Sequence, residues 1–382
     1  MAGYIFNLDS TEALDLYTRA GVYATRLSDP PGRWQSHHEG TFADFATMQP
    51  NDNIYFFIDR KIYGIGRLIN IGPDCKYFNY PAASIPETPA YTNIRGELLW
   101  DEGDFSINQR CLCTFEPDPH FFIEGIDMDD VLSSNPRAFK MLRAFWKLSF
   151  LKFSDEENQA FRDILLKRNE DRLILPPHGV REHAAAYGNI LTKPNIGEYN
   201  LFRGLANVLS SCADEENLRH EMAIEAGLLN QLHAQDPETI EVFGTWDYLS
   251  HQVVASPFKP IDYMDKMDIF GYSFIEGFGP TKNNYLVIEI KKGDVEPQDI
   301  DQLLKYVDWI CGEYCFGDYS MIKAFLVGFN FPDDVLNHKT RVANRKFTRG
   351  MRPAQSLEWN DLTLVNYRFN EAERKLQFTP IN

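Results

Sequence analysis

Glu289 and Lys291 stand two residues apart at the end of an apolar, β-branched run that begins at Tyr285. In a strand, residues i and i+2 point to one face. A buried strand here would therefore deliver an acid and a base side by side, a costly arrangement unless the pair has a task. Asp268 lies 21 residues upstream, where another apolar run begins. Glu221 and Glu225 are four apart in a helical stretch and share a face. Gln302 and Tyr306 are likewise four apart in the amphipathic stretch 299–309. Carboxylate oxygens are hard ligands that suit Mg²⁺ or Mn²⁺. Asp268 and Glu289 would supply side-chain oxygens, and the carbonyl of Ile290 stands in position to add another. A cation so held polarises a phosphate and acidifies water. Lys291 would orient that water or help to deprotonate it. The expected chemistry is hydrolysis of a phosphodiester.

The elements around these residues change character along the chain. Residues 1–130 look β-rich, with strands expected over 4–8, 54–58, 62–69 and 109–115 and a short helix after Ser10. Residues 131–200 form a helical extension and a linker. Helices are expected over 127–132, over 137–150 from the spacing of Phe139, Leu142, Phe145, Trp146 and Phe150, and over 159–168 behind the capping residues of 154–157. Pro176, Pro177, Gly179, Gly188, Pro194 and Gly197 mark the linker, with a boundary expected near 175–200. From 201 to 382 the order is helices over 201–211 and 214–232, further elements over 240–243 and 248–254, and a loop with Pro257 and Pro260. An apolar strand then starts at Asp268, followed by the strand carrying Glu289, the helix with Gln302, and strands over 322–329 and 362–369. Lys339, Arg341, Arg345, Lys346, Arg349 and Arg352 form a basic run suited to DNA phosphates, or to a solvated loop.

The chain has 382 residues, enough for two or three domains. With 44% hydrophobic residues it can bury real cores. Its formal charge of −17 argues against indiscriminate polyanion binding but leaves room for a local basic patch. No apolar run is long enough to span a membrane, and the first residues lack a signal-peptide pattern. The six cysteines show no zinc spacing and read as reduced core thiols, so a cytoplasmic protein is expected. His178, His183, His220, His233 and His251 form no metal triplet. There is no P-loop and no nucleophile elbow.

The order of an upstream Asp268, a strand ending in Glu289-x-Lys291 and the helical QLLKY of 302–306 resembles the PD-(D/E)XK nuclease superfamily. The likeness covers about 215–330 and is nearest to the archaeal and actinobacterial mismatch-endonuclease branch. Two features depart from that pattern: the interval from Asp268 to Glu289 is long, and Met267 replaces a proline. The resemblance implies an α/β fold with a restriction-endonuclease-like mixed central sheet flanked by helices. It gives Asp268, Glu289 and Lys291 the metal and catalytic positions, with Gln302 steadying the site. The helical glutamate corresponds to Glu225 or Glu221. The stretch 1–130, with Gly64-x-Gly66 in a strand, resembles PUA-like barrels, including base-sensing EVE-type domains. There Trp34, Tyr55, Phe57 and Tyr63 would stack on a flipped base, unless they simply fill the barrel. Arg33, Arg60 and Lys292 are further candidates for phosphate. Together these imply a Mg²⁺- or Mn²⁺-dependent DNA endonuclease, homo-oligomeric, with no membrane partner, whose N-terminal domain chooses the substrate, as in modification-dependent restriction and antiviral defence. Two alternatives remain: a catalytically silent nucleic-acid sensor, or an enzyme acting on RNA.

Overall fold

The computed structural model describes residues 2–27, 32–117, 121–139, 150–174, 184–194, 197–255 and 265–381. Most of the helix expected over 137–150, the 176–179 part of the linker, and the loop of Pro257 and Pro260 lie outside the described residues. The chain is a mixed α/β protein that divides into two compact units, Met1–Ser211 and Cys212–Asn382.

In the first unit, β1 (Gly3–Asn7), α1 (Thr11–Ala20), β2 (Val22–Arg26) and α2 (Ser36–Ala46) lead into the hairpin of β3 (Asn53–Ile58) and β4 (Lys61–Leu68). Asp59 and Arg60, the two linking residues, both have positive φ. That is the geometry which matches a two-residue hairpin turn to strand twist. Then come β5 (Lys76–Phe78), α3 (Tyr91–Ile94), β6 (Gln109–Pro117), β7 (Ile126–Asp127), α4 (Met128–Ser134), β8 (Phe150–Phe153) and α5 (Asp155–Arg168). α6 (Ala184–Thr192) and α7 (Leu201–Cys212) follow. The sheet runs β2-β6-β4-β3-β1-β8, with β5 on β6 and β7 on β4. β1 is parallel to β3; the other pairs are antiparallel. Ser154 and Glu157 form the expected capping box on α5. Its Phe161 and Leu165 pack with Tyr55, Phe57, Ile62 and Phe153 in one apolar cluster.

The second unit opens on a short pair, β9 (Ala213–Asp214) and β10 (Asn217–Leu218), where a continuous helix from 214 was expected. α8 (Glu221–His233) and α9 (Pro237–Phe243) come next, then β11 (Tyr248–Val254), β12 (Lys266–Phe274) and β13 (Lys282–Ile290). α10 (Pro297–Glu313) connects β13 to β14 (Ile322–Gly328). α11 (Asp333–Val342), β15 (Arg345–Arg349), β16 (Gln355–Trp359), β17 (Leu362–Asn370) and β18 (Lys375–Ile381) complete the unit. The main sheet is ordered β11-β12-β13-β14-β17-β18. β13, β14 and β17 are parallel, and antiparallel partners flank them. Parallel neighbours need a crossover connection, which α10 supplies between β13 and β14. Pro297 occupies its first turn, and Glu296 and Asp299 form a capping box. From Tyr285 to Ile290, β13 is buried at every position, which is why it reads as a continuous apolar run rather than an alternating one. The basic run does not form one loop: it falls on α11 and on the separate hairpin of β15 and β16.

Candidate active site

Four elements of the second unit bring the polar cluster together. α8 is buried along most of its circumference, from Ala223 to Leu232, and this draws Glu225 inside to 2% exposure. One turn earlier, Glu221 stays exposed and accepts from the Lys292 amide at 3.4 Å. Asp268 on β12 accepts the Ile290 amide proton through Oδ2 at 2.7 Å. At the end of β13, Glu289 is 1% exposed. Its Oε1 accepts from Lys291 Nζ at 2.7 Å and from Gln302 Nε2 at 2.9 Å. Gln302 Nε2 also reaches the Tyr306 hydroxyl at 2.8 Å, so the i and i+4 residues of α10 act as one brace. Lys291 Nζ lies 3.9 Å from Asp299 as well.

Glu225 and Asp268 are joined by a residue that sequence reasoning passed over. Gln252 Nε2 donates to both oxygens of Glu225 at 3.2 Å and to Asp268 Oδ1 at 3.3 Å. Gln252 has a φ of +54° inside β11. A left-handed backbone at a long-chain residue costs about 1–3 kcal/mol and persists where its surroundings over-determine it. Nothing in the stretch 248–254 signals such a conformation.

The electrostatics follow from burial and crowding. Burial raises Glu225 well above the usual carboxylate range, and the neighbouring Asp268 adds to the effect. Burial pushes Asp268 up to about 6, against the opposing hydrogen bond from Ile290. Glu289 is pushed up to about 8, by burial and then by the charge of Asp268. Burial lowers Lys291, but the charges of Glu289 and Asp268 outweigh it, and the net shift is upward. Lys291 is therefore held as a cation. Among the described residues, Glu289 Oε2 is buried without a hydrogen-bond partner, a rare condition in a protein interior.

These groups are suited to a hard divalent cation: the donors are carboxylate oxygens, three carboxyl groups buried together would hold an excess of negative charge once ionised, and one oxygen has no partner among the described residues. Among the described residues, no three His, Cys, Asp or Glu side chains already converge on a ready-made metal position. Gln252, the Ile290 amide and Lys291 occupy the oxygens that such a cation would take.

The other candidate residues lie elsewhere. Trp34, Tyr55, Phe57 and Tyr63 are all buried in the first unit. Trp34 Nε1 donates to the Ser84 carbonyl at 3.0 Å, and the Tyr55 hydroxyl donates to Asn158 Oδ1 at 2.9 Å. All four rings lie in the interior of that unit. Gly64, with a φ of +107°, is approached by the Phe121 ring, at 2.9 Å from where a Cβ would stand. This close approach at the glycine is made by the protein's own core. Tyr55→Ala should lower stability by about 3–5 kcal/mol, as large-to-small core changes do. A urea melt checks this, and an unchanged midpoint would return Tyr55 to the list of recognition residues.

Arg33 is exposed, and Arg60 pairs with Asp129 at 2.7 Å. Lys292 Nζ donates to the Arg219 carbonyl at 3.3 Å. Arg341 contacts His338 at 2.9 Å. Arg345 forms a two-pronged pair with Asp308 at 2.7 and 3.0 Å, and Arg349 lies 3.3 Å from Asp318. Lys346 is exposed. Part of the basic run is therefore committed to acids of its own unit. All six cysteines are buried thiols. Among the described residues, no helix is long and apolar enough to cross a membrane.

No protein-family model matches the chain, and no curated protein does. Among solved structures, the chain is similar to the crystal structure of a repair endonuclease from Pyrococcus abyssi, with 22% identity and a TM-score of 0.21. That match covers 34% of this chain and 46% of the other, less than half the length of either.

Proposed function

We propose that this chain is a divalent-metal-dependent DNA endonuclease of the PD-(D/E)XK kind. The observation that carries the reading is the buried Glu289 Oε2, which has no hydrogen-bond partner among the described residues. It belongs to a cluster in which Glu225, Asp268 and Glu289 are all raised from their ordinary pKa values by burial. Such a cluster is stable as a set of anions only with added positive charge. Asp268, Glu289 and Glu225 would hold Mg²⁺ or Mn²⁺, with the Ile290 carbonyl as a further donor and Glu221 at the exposed rim. When bound, the cation would polarise the scissile phosphate and acidify water. Lys291, anchored on Glu289, places a fixed positive charge where the attacking water and the developing phosphate charge need one. Gln302, steadied by Tyr306, fixes the orientation of the Glu289 carboxylate.

Within this reading the second unit is restriction-endonuclease-like. The first is a PUA-like substrate-choosing domain, in which Trp34, Tyr55, Phe57 and Tyr63 would meet a flipped base only if the surrounding core opened. Lys292, Lys346 and Arg341 would track the DNA backbone, joined by Arg345 and Arg349 where they exchange Asp308 and Asp318 for phosphate. Two strands call for two sites, hence a homo-oligomer, and restriction or antiviral defence in the cytoplasm is the setting such an enzyme fits. A second reading, a silent nucleic-acid sensor, draws on the way Gln252 and Lys291 already satisfy carboxylate oxygens.

Calorimetric titration with Mn²⁺ separates the two. The wild type is expected to bind, and Asp268→Asn to lose binding by at least about tenfold, the scale on which a lost ligand or its support acts. A wild type that shows no heat with Mn²⁺, and no Mg²⁺-dependent nicking of supercoiled plasmid, would leave the sensor reading standing. Parallel assays on RNA decide the preferred nucleic acid.

A further inference from the structure

Of the groups that touch the three carboxylates, the Ile290 amide is fixed by the backbone. Lys291 is a permanent cation, and the Gln302 amide is pinned between Glu289 and Tyr306. Gln252 differs from these. Its planar amide carries donors at one end and an acceptor at the other, and its terminal torsion is broad and nearly two-fold.

We propose that Gln252 is a two-state positioning residue of the cation site. With no cation, Nε2 holds Glu225 and Asp268 together; with one, the amide turns and places Oε1 among the same carboxylates. This deepens the function proposed above and rests on it.

Three observations support the assignment. Nε2 spans both oxygens of Glu225 at 3.2 Å and Asp268 Oδ1 at 3.3 Å, so a single donor stands where two carboxylates converge. A cation entering there would meet N–H groups of its own polarity, and a half-turn of the amide replaces them with a hard oxygen of the type such ions select. The backbone is committed to this placement: Gln252 lies opposite Asp268, between the paired His251/Ile269 and Val253/Met267, with a φ of +54°. Glycine is the residue that fits such a conformation without strain, so the long side chain there has a task that glycine could not perform.

The test compares wild type, Gln252→Met and Gln252→Glu, by thermal melts without metal and by calorimetry with Mn²⁺. Methionine keeps the length and removes the amide. Without metal it should melt below wild type, and it should bind Mn²⁺ about 10–100-fold more weakly. Glutamate offers only oxygens. It should melt below wild type without metal yet bind Mn²⁺ at least as tightly. Wild-type affinity in Gln252→Met, or weaker than wild-type affinity in Gln252→Glu, overturns the proposal. Should Gln252→Met fail to fold, the glutamate variant decides alone. Absence of Mn²⁺ binding by the wild type itself would instead overturn the endonuclease reading, so the two failures are distinct.

Discussion

Glu289→Ala and Lys291→Ala should each reduce Mg²⁺-dependent plasmid cleavage by about 10³-fold, within the range expected for loss of one preorganised electrostatic or proton-handling group. Gln302→Ala should cost less, about 10–100-fold, because it acts through Glu289 rather than on the phosphate. The ranking follows from the contacts. Glu289 Oε1 receives both Lys291 at 2.7 Å and Gln302 at 2.9 Å. Removing the carboxylate releases both partners, whereas removing the amide leaves the ion pair intact. Lys291→Arg should not rescue the lysine loss: a broad planar fork does not reproduce a compact point charge seated in this space. Initial rates of supercoiled-plasmid nicking, with melts to confirm folding, provide the readout. Cleavage at the wild-type rate by Glu289→Ala or Lys291→Ala would place the chemistry elsewhere in the chain.

Much of this site could be read from sequence, for a physical reason. A strand buried on both faces announces itself as an unbroken apolar run, and a carboxylate and an ammonium at its end stand out against that background. Asp268, Glu289, Lys291, Gln302 and Tyr306 were legible in this way, and the structure brings them together. The choice between Glu221 and Glu225 was not legible, because i and i+4 residues share a face. Only the packing of α8 shows that Glu225 is buried while Glu221 stays exposed. Gln252 was invisible for a different reason: its backbone is left-handed, and no local residue preference encodes that conformation. The hairpin of β15 and β16 was missed because Arg345, Lys346 and Arg349 drew attention as charge. Phe347 and Trp359 pack on Tyr319 and tie the hairpin to its unit. The helix expected from 214 begins instead at Glu221, since Asn217 is taken up by the Tyr367 hydroxyl and pairs in a short ladder. In the first unit, aromatic richness was plain, but composition does not say whether a ring faces a ligand or the core.

Without metal, stability should fall as pH rises from about 5 to 8, and Mn²⁺ should reverse the fall. The sign follows from linkage. Asp268 and Glu289 have ordinary values of 3.8 and 4.5, and in the folded chain they are pushed up to about 6 and about 8. Glu225 is raised well above its ordinary value of 4.5. Between those limits the folded chain binds more protons than the unfolded one, so its stability decreases with pH. The contribution is fully present below the unfolded values and is lost as pH passes the folded ones. A cation among the ionised carboxylates acts in the opposite sense. It competes with protons and binds best once they have left, and at a hundred times its dissociation constant it adds about 2.7 kcal/mol. For a unit of this size that corresponds to roughly 2–4 °C per kcal/mol in melting temperature. The Mn²⁺-induced rise should therefore be large at pH 8 and small at pH 5.5. Glu289→Gln isolates the effect from other titrating groups, because it preserves shape while deleting one buried charge. Without metal, its melting temperature should exceed that of wild type at pH 8 and match it at pH 5.5, and it should lose most of the Mn²⁺ response. Equal melting of the two proteins across that range, or a Mn²⁺ response independent of pH, would show that these carboxylates are not the repelling, cation-seeking cluster that their burial implies. The gain in metal-free stability alongside loss of cleavage would mark Glu289 as a residue kept for chemistry at the expense of the fold.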